Sequence, residues 1–239
     1  MPEITPYNSS ENKKKQVTQM FNNIAGSYDL LNHSLSFGMD SLWRRIAVKK
    51  LTNNPKNILD IATGTADFAI SAAKYTNAQI IGIDISEGML KVGKKKIAKK
   101  KLKQKISLQL ADSENLPFKE NSFDGVTAGF GVRNFEHLQK GLEEMYRVLK
   151  SDGIVVILEP STPKYFPLKQ LYNLYFHYIL PTIGAWISKD KKAYIYLPNS
   201  VEAFPSGKDF ILELERIGFK KTKHITLTFG IVSLYMAIK

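Results

Sequence analysis

The stretch Asn57-Ile-Leu-Asp60-Ile-Ala-Thr-Gly64-Thr-Ala-Asp67, followed closely by Gln79-Ile-Ile-Gly-Ile-Asp84, decides the fold. An apolar run of strand length empties into a loop of small residues, a helical stretch over Ala66–Tyr75 follows, and a second apolar run ends in an acid. Outward from this βαβ unit the alternation continues. Ser86 is a natural N-cap for a helix to about Lys99, and Ile106–Ala111, Phe123–Gly129 and Gly153–Glu159 read as three further strands, with a helix over His137–Leu149 before the last. Right-handed crossovers then give an α/β, doubly wound, mostly parallel sheet. Lys208–Ile217 predicts one more helix, and the runs His224–Phe229 and Ile231–Ile238, joined through Gly230, are close enough to require an antiparallel C-terminal hairpin, for seven strands in all. A single domain over residues 1–239 is expected: a helical cap at 13–50, a core at 56–159, a helical insertion after the fifth strand at 160–205, and a helix with hairpin at 206–239. No internal repeat or low-complexity linker divides it.

Composition sets the outer limits. With 239 residues, 44% hydrophobic and 23% charged, the chain is a packed globular protein, and a disordered one is excluded. Lys and Arg number 34 against 22 Asp and Glu, a formal charge of +12 that favours an anionic partner such as nucleic acid, acidic lipid or a phosphorylated substrate. Only Arg44, Arg45, Arg133, Arg147 and Arg216 are arginines, so forked phosphate recognition is thinly supplied. The absence of cysteine removes disulfides, thiolate metal sites and a cysteine nucleophile, and four scattered histidines argue against a metal centre. The N-terminus lacks the apolar core of a signal peptide, and Lys169, Asn173, His177 and Pro181 interrupt the most apolar segment, Tyr165 to Ile187. A cytoplasmic protein is the expectation.

In a doubly wound sheet, ligands bind outside the carboxyl ends of the strands, so the residues just after each strand carry the chemistry. A dinucleotide fingerprint would place glycines where Ala62, Gly64 and Asp67 stand, and a pyrophosphate would meet a carboxylate there. The loop suits instead a ligand with a cationic head, such as the amino-acid end of S-adenosylmethionine, with Asp60 and Asp67 as the candidate carboxylates. Asp84, about 20 residues past the glycine loop, is placed to accept both hydroxyls of a ribose. Asp112 is a candidate acceptor for the adenine amino group beside Ser113, and equally a candidate turn cap. Ala128-Gly-Phe130-Gly-Val-Arg133-Asn134 brings an aromatic ring, a guanidinium and an amide to the same edge, although such an arginine often only pairs with a carboxylate.

Taken together these residues resemble the class I S-adenosylmethionine methyltransferases with a Rossmann-like fold, and among them the demethylmenaquinone and ubiquinone C-methyltransferase family. The N-terminal signature reads Phe21-Asn-Asn-Ile24-Ala-Gly-Ser-Tyr28-Asp29-Leu-Leu-Asn32-His-Ser-Leu-Ser36, then Trp43-Arg44. The second signature reads Arg147-Val-Leu-Lys-Ser-Asp-Gly153, then Leu158-Glu159-Pro-Ser161; Phe130–Asn134 and Tyr178–Gly184 also match. The resemblance implies cofactor contacts at Thr65, Asp84, Asp112 and Ser113, beside Gly64, where the loop's small residues let a ligand approach the backbone. It departs from the family pattern at Asp40, where a histidine is usual, at Ser151-Asp152 in place of Pro-Gly, and at Gly129, where some relatives offer a serine.

The implied reaction is C-methylation of a reduced polyprenyl quinone precursor, demethylmenaquinol to menaquinol, with a ubiquinone-pathway benzoquinol as the alternative substrate. S-adenosylmethionine is the implied cofactor, and no metal is required. Arg133 is the leading catalytic candidate, stabilising phenolate charge. Tyr28, Asn32, Trp43, Phe130, Asn134 and Tyr178 are the substrate-side candidates. Aromatic and aliphatic residues from Phe166 to Ile179 suit either a polyprenyl channel or an inward helix face. The basic run Lys91 to Lys105 suits either a solvated face or contact with an anionic membrane, at the inner face of the cytoplasmic membrane. A nucleic-acid methyltransferase would want stacking platforms beside the cofactor, which are not evident, so no nucleic-acid partner is expected. A non-catalytic binding module is disfavoured by the intact Asp84, Asp112 and Arg133; a homodimer is compatible with the sequence.

Overall fold

The computed structural model describes residues 4–7, 9–175 and 190–239. Seven strands form one sheet: β1 (Asn57–Ile61), β2 (Gln79–Asp84), β3 (Ile106–Leu110), β4 (Phe123–Gly129), β5 (Leu149–Pro160), β6 (Lys220–Leu227) and β7 (Val232–Ile238). Their order is β3-β2-β1-β4-β5-β7-β6, with the first five parallel and β7 antiparallel to both β5 and β6. This is the expected doubly wound architecture. The direction of winding reverses between β1 and β4, which opens a crevice at their carboxyl ends.

Both faces are covered, as the near-continuous apolar strands require. Helix α6 (Leu138–Val148) and α9 (Lys208–Ile217) bury Leu142, Met145, Phe210 and Leu214 against one face. On the other, α3 (Met39–Val48), α4 (Asp67–Tyr75) and α5 (Glu87–Lys99) contribute Trp43, Ala47, Phe68, Ala69, Ala72 and Ile97. The alanines of α4 let that helix lie close on the sheet. A third apolar cluster joins α1 (Lys13–Ile24) and α2 (Tyr28–Leu35) to Met89 of α5 and to Ala193 and Tyr196 of α8 (Lys191–Ala203). The N-terminal cap thus sits over the carboxyl edge of the sheet, and α7 (Leu168–Leu174) precedes the undescribed stretch.

Local chemistry sets the boundaries. The Ser86 hydroxyl accepts the Met89 N–H at 3.2 Å, which starts α5 where its N-cap predicts. Helix α4 starts one residue later than read, because Ala66 takes a left-handed conformation at φ 69°. Strand β5 begins at Leu149 rather than Gly153: Leu149 is fully buried and pairs with Phe123 across a register irregularity. Strand β6 begins at Lys220 rather than His224, and a short 3₁₀ turn over Thr228–Gly230, not Gly230 alone, closes the hairpin. The missed residues, Lys220-Lys-Thr-Lys, lie on the sheet's edge and are mostly exposed, so they show no apolar alternation. Lysine on an edge strand discourages pairing with another chain. Among the described residues no helix is long and apolar enough to cross a membrane.

Candidate active site

Two cavities meet at the carboxyl edge of the sheet. The first is a cleft of about 650 Å³ walled by Gly64, Asp84, Asp112, Ser113, Phe130, Gly131 and Asn134, with Lys14, Phe21 and Tyr28 of the cap closing it. The second is a chamber of about 1660 Å³, mostly apolar, bounded by α1 to α3, α7, α8 and the hairpin turn. Phe21, Tyr28, Phe130 and Asn134 line both, so they form the partition.

The loop after β1 is tight because Ala62, Gly64 and Ala66 all have positive φ, 50°, 54° and 69°. Non-glycine residues hold that conformation only where their surroundings enforce it. One enforcing contact is Asp84, whose Oδ2 accepts the Gly64 N–H at 2.8 Å while Oδ1 accepts the Ser86 N–H at 2.8 Å. Burial pushes the Asp84 carboxyl up to about 6, against the pull of these N–H groups. Across the loop, Gly131 is required by close approach: a Cβ there would lie 2.5 Å from the Cβ of Ala62. At Gly129 a side chain would lie 2.8 Å from the Phe68 ring, which occupies the space a serine would need.

Asp112 faces the cleft and also caps its turn, since its Oδ1 accepts the Glu114 N–H at 2.9 Å. The hydrogen bond is the turn cap of one sequence reading, and the place on the cleft wall is compatible with the other. Its Oδ2 lies 2.8 Å from the Lys14 ammonium, which also reaches Glu114 at 3.0 Å, tying α1 to the cleft wall. Glu114 and Lys14 had no signal in the sequence; Lys14 stands in a run of lysines indistinguishable from a solvated surface.

The two carboxylates read as partners for a cationic head do not line the cleft. Asp60 is fully buried beneath the loop, where it accepts the hydroxyls of Thr63 at 2.5 Å and Thr127 at 2.6 Å; burial pushes its carboxyl up to about 6. It holds the loop to β4. Asp67 pairs with Lys96 at 2.5 Å, and the same ammonium binds Asp29 of α2 at 2.7 Å. Thr65 is buried and donates its hydroxyl to Asp29, so it too faces this cluster.

On the chamber side the structure brings Tyr28, Asn32, Trp43, Phe130, Arg133 and Asn134 together. Tyr178 lies outside the described residues, as does the Tyr178–Gly184 match. Trp43 is pinned by its Nε1–H to the Thr228 hydroxyl at 2.8 Å and packs edge-on against Phe130. Arg133 is the carboxylate-paired arginine of the alternative reading, with Nη1 2.9 Å from the fully buried Glu159, and it lines the chamber as well. Its Nη1 also donates to the Phe130 carbonyl, while Nη2 has no partner among the described residues. Asn134 accepts the Tyr196 hydroxyl at 3.1 Å, yet among the described residues its buried Nδ2 has no partner, a donor left over at the partition. Burial raises the Tyr28 hydroxyl above its usual range, while the charge of Arg133, a hydrogen bond with Asn32 and the charge of Arg44 pull it down.

Arg44 and Asp40 add to the polar lining, neither with a role read from the sequence. Asp40 is 6% exposed and accepts hydrogen bonds from Arg44 and from the Ser36 hydroxyl at 3.1 Å. Arg44 also lies over the Phe130 ring, 5.6 Å from its centre. Ser36, Asp40 and Arg44 stand four apart in the chain, and this i, i+4 spacing of acid and arginine is the signal that could have found the pair.

The sequence matches the ubiE/COQ5 methyltransferase family over residues 9–239. It is 50% identical over 238 residues to the demethylmenaquinone methyltransferase of Bacteroides fragilis, covering 99% of this chain and 97% of that one. It is 41% identical to the demethylmenaquinone methyltransferase of Porphyromonas gingivalis, covering 99% and 98%. It is 47% identical to the ubiquinone/menaquinone biosynthesis C-methyltransferase of Geotalea daltonii, covering 95% and 97%. Among solved structures, a SAM-dependent methyltransferase from Thermotoga maritima superposes with a TM-score of 0.66 at 19% identity, covering 93% of this chain and 99% of that one, and shows the shared fold.

Proposed function

This chain belongs to the ubiE/COQ5 methyltransferase family and is an S-adenosylmethionine-dependent methyltransferase, and we propose that it transfers the methyl group to a ring carbon of demethylmenaquinol at the partition between the two cavities. The observation that carries this reading is the shared wall: one cavity offers acids suited to an adenosyl group, the other is large and apolar, and Tyr28, Phe130 and Asn134 belong to both. The donor set fits the cofactor. Asp84 is in place for the ribose hydroxyls, Asp112 and Ser113 for the adenine edge and Gly64 for close backbone approach, while Asp60, Thr65 and Asp67 hold the loop from behind. When bound, S-adenosylmethionine supplies an electrophilic methyl on a cationic sulfur.

The protein's own part is alignment, exclusion of water and stabilisation of charge. A quinol carbon becomes nucleophilic as its neighbouring hydroxyl loses a proton. Arg133 is too basic to take that proton, but its Nη2 can donate to the oxygen as negative charge grows there. Glu159 fixes the guanidinium, and the spare Nδ2 of Asn134 supplies a second donor beside it. Trp43 and Phe130 hold the ring, and Tyr28 and Asn32 the cap above it.

The polyprenyl tail takes the apolar length of the chamber. Its rim carries Phe37, Leu171 and Phe229, 83%, 59% and 79% exposed, and we place the lipid surface there. The exposed lysines of the Lys91–Lys105 run add attraction to anionic lipid, about 1 kcal/mol for each near the surface, at the inner face of the cytoplasmic membrane. Methylation assays with reduced short-tailed demethylmenaquinol and with the matching benzoquinol test the assignment. Turnover of the naphthoquinol in preference supports it; turnover of neither removes it.

A further inference from the structure

Methylating a quinol carbon releases one proton, and Arg133 cannot receive it. The methyl arrives from a sulfonium and the sulfur leaves neutral, so a positive charge must exit the chamber as a proton. Glu159 is fully buried behind Arg133, with Oε1 receiving the Val132 N–H at 2.6 Å and Oε2 engaged by the guanidinium. Among the described residues that line the chamber, Asp40 is the one carboxylate, and no histidine or lysine lines it.

Asp40 also has a way out. Its Oδ1 lies 3.0 Å from Nδ1 of His33, whose side chain is 67% exposed. A buried acid on the chamber wall is therefore one hydrogen bond from an imidazole in bulk solvent. Arg44 and Ser36 hold the carboxylate in place from the other sides. The Arg44 guanidinium and the Ser36 hydroxyl fill two of the carboxylate's acceptor positions, and Asp40 lines the chamber.

We propose that Asp40 accepts the proton of the reacting quinol and that His33 delivers it to solvent, an assignment that rests on the quinol methyltransferase reading above. The O–H bond beside the reacting carbon breaks, its proton goes to Asp40, and its electron pair stays on the oxygen and feeds the ring. The carbon–methyl bond forms as the carbon–sulfur bond breaks. The hydrogen displaced from that carbon returns as a proton to the oxygen, which restores the aromatic quinol. Asp40 then hands its proton to Nδ1 of His33, in the tautomer that carries its hydrogen on Nε2; the ring sheds the Nε2 proton to water and returns to that tautomer by exchanging hydrogen with solvent before the next turnover. Arg44 keeps the carboxylate anionic between turnovers, so it acts as a positioning residue.

The test begins with His33→Ala, a surface change that leaves the chamber wall intact, assayed with short-tailed demethylmenaquinol in dilute buffer. Its kcat falls about tenfold with KM unchanged, and added free imidazole restores it, because the small base reaches Asp40 through the space vacated. Asp40→Asn lowers kcat by about 10²-fold or more while S-adenosylmethionine affinity is kept, and Asp40→Glu recovers part of the rate with the ion pair to Arg44 retained. Wild-type turnover in His33→Ala, or a loss that imidazole does not restore, overturns the proposal. Failure of the unsubstituted protein to methylate the quinol at all would instead remove the reading beneath it.

Discussion

Asp60 and Asp84 lie near the carboxyl ends of neighbouring strands, are both buried and are both pushed up to about 6, yet they do different work. One receives two threonine hydroxyls under the loop; the other forms the cleft wall. Sequence position alone could not separate them, because each is an acid at a strand's end. The ribose contact proposed for Asp84 has a pH signature. Ribose hydroxyls donating to the anion lower its pKa in the complex, so binding is strongest above about 6 and weakens as pH falls through that value, by up to about tenfold per unit. Calorimetric titration with S-adenosylmethionine from pH 7.5 to 5 checks this, and a flat affinity contradicts it. At Arg133, truncation to alanine removes a charge-stabilising donor and strands Glu159. A rate loss of about 10²–10³-fold is predicted, with about 3–5 kcal/mol lost in stability. Rate assays paired with denaturant melts measure the two effects separately, and an unchanged rate in folded protein would exclude the catalytic role.

At the scale of elements, the strands and the helical stretch at 13–50 were legible, but the contacts that hold this cap in place were not. Parallel strands buried on both faces leave continuous apolar runs, and Ser86 marks a helix start by a single local bond. The cap is held instead by contacts distant in sequence. Lys96 of α5 joins Asp29 of α2 to Asp67 of α4, and Lys14 of α1 reaches Asp112 after β3. Each of these lysines reads as ordinary surface charge until the fold closes. Because α2 carries Tyr28 on the partition, loosening it should release the cofactor. Lys96→Ala is expected to raise the dissociation rate of S-adenosylmethionine severalfold and hydrogen exchange across residues 28–35, while costing only about 1 kcal/mol of stability, since the pair is partly solvated. Stopped-flow displacement and exchange mass spectrometry read both; an unchanged dissociation rate rejects the latch. Gly131→Ala acts on the opposite wall, where the new methyl collides with Ala62, and a loss of cofactor affinity is predicted from the same titration.

Over the whole molecule, an apolar chamber open to solvent through exposed aromatic residues makes sense for a substrate that lives in lipid. The sequence showed an aromatic-rich insertion but could not tell a channel from a core, since both bury the same residue types at the same spacing. The structure adds that Tyr172 and Tyr175 line the chamber, and that Phe37 and Phe229, far apart in the chain, both line it while standing exposed. Phe229→Ser is expected to raise KM severalfold for a long-tailed quinol presented in anionic vesicles and to leave KM for a short-tailed soluble quinol unchanged. Equal effects on both substrates would place Phe229 in the reaction chamber rather than at a lipid surface. The central claim concerns where the methyl group goes. Incubating the protein with methyl-labelled S-adenosylmethionine and reduced demethylmenaquinol, then locating the label by mass spectrometry and NMR, tests it directly: label on the free ring carbon is the predicted result, and label on a quinol oxygen, or none transferred despite bound cofactor, contradicts it.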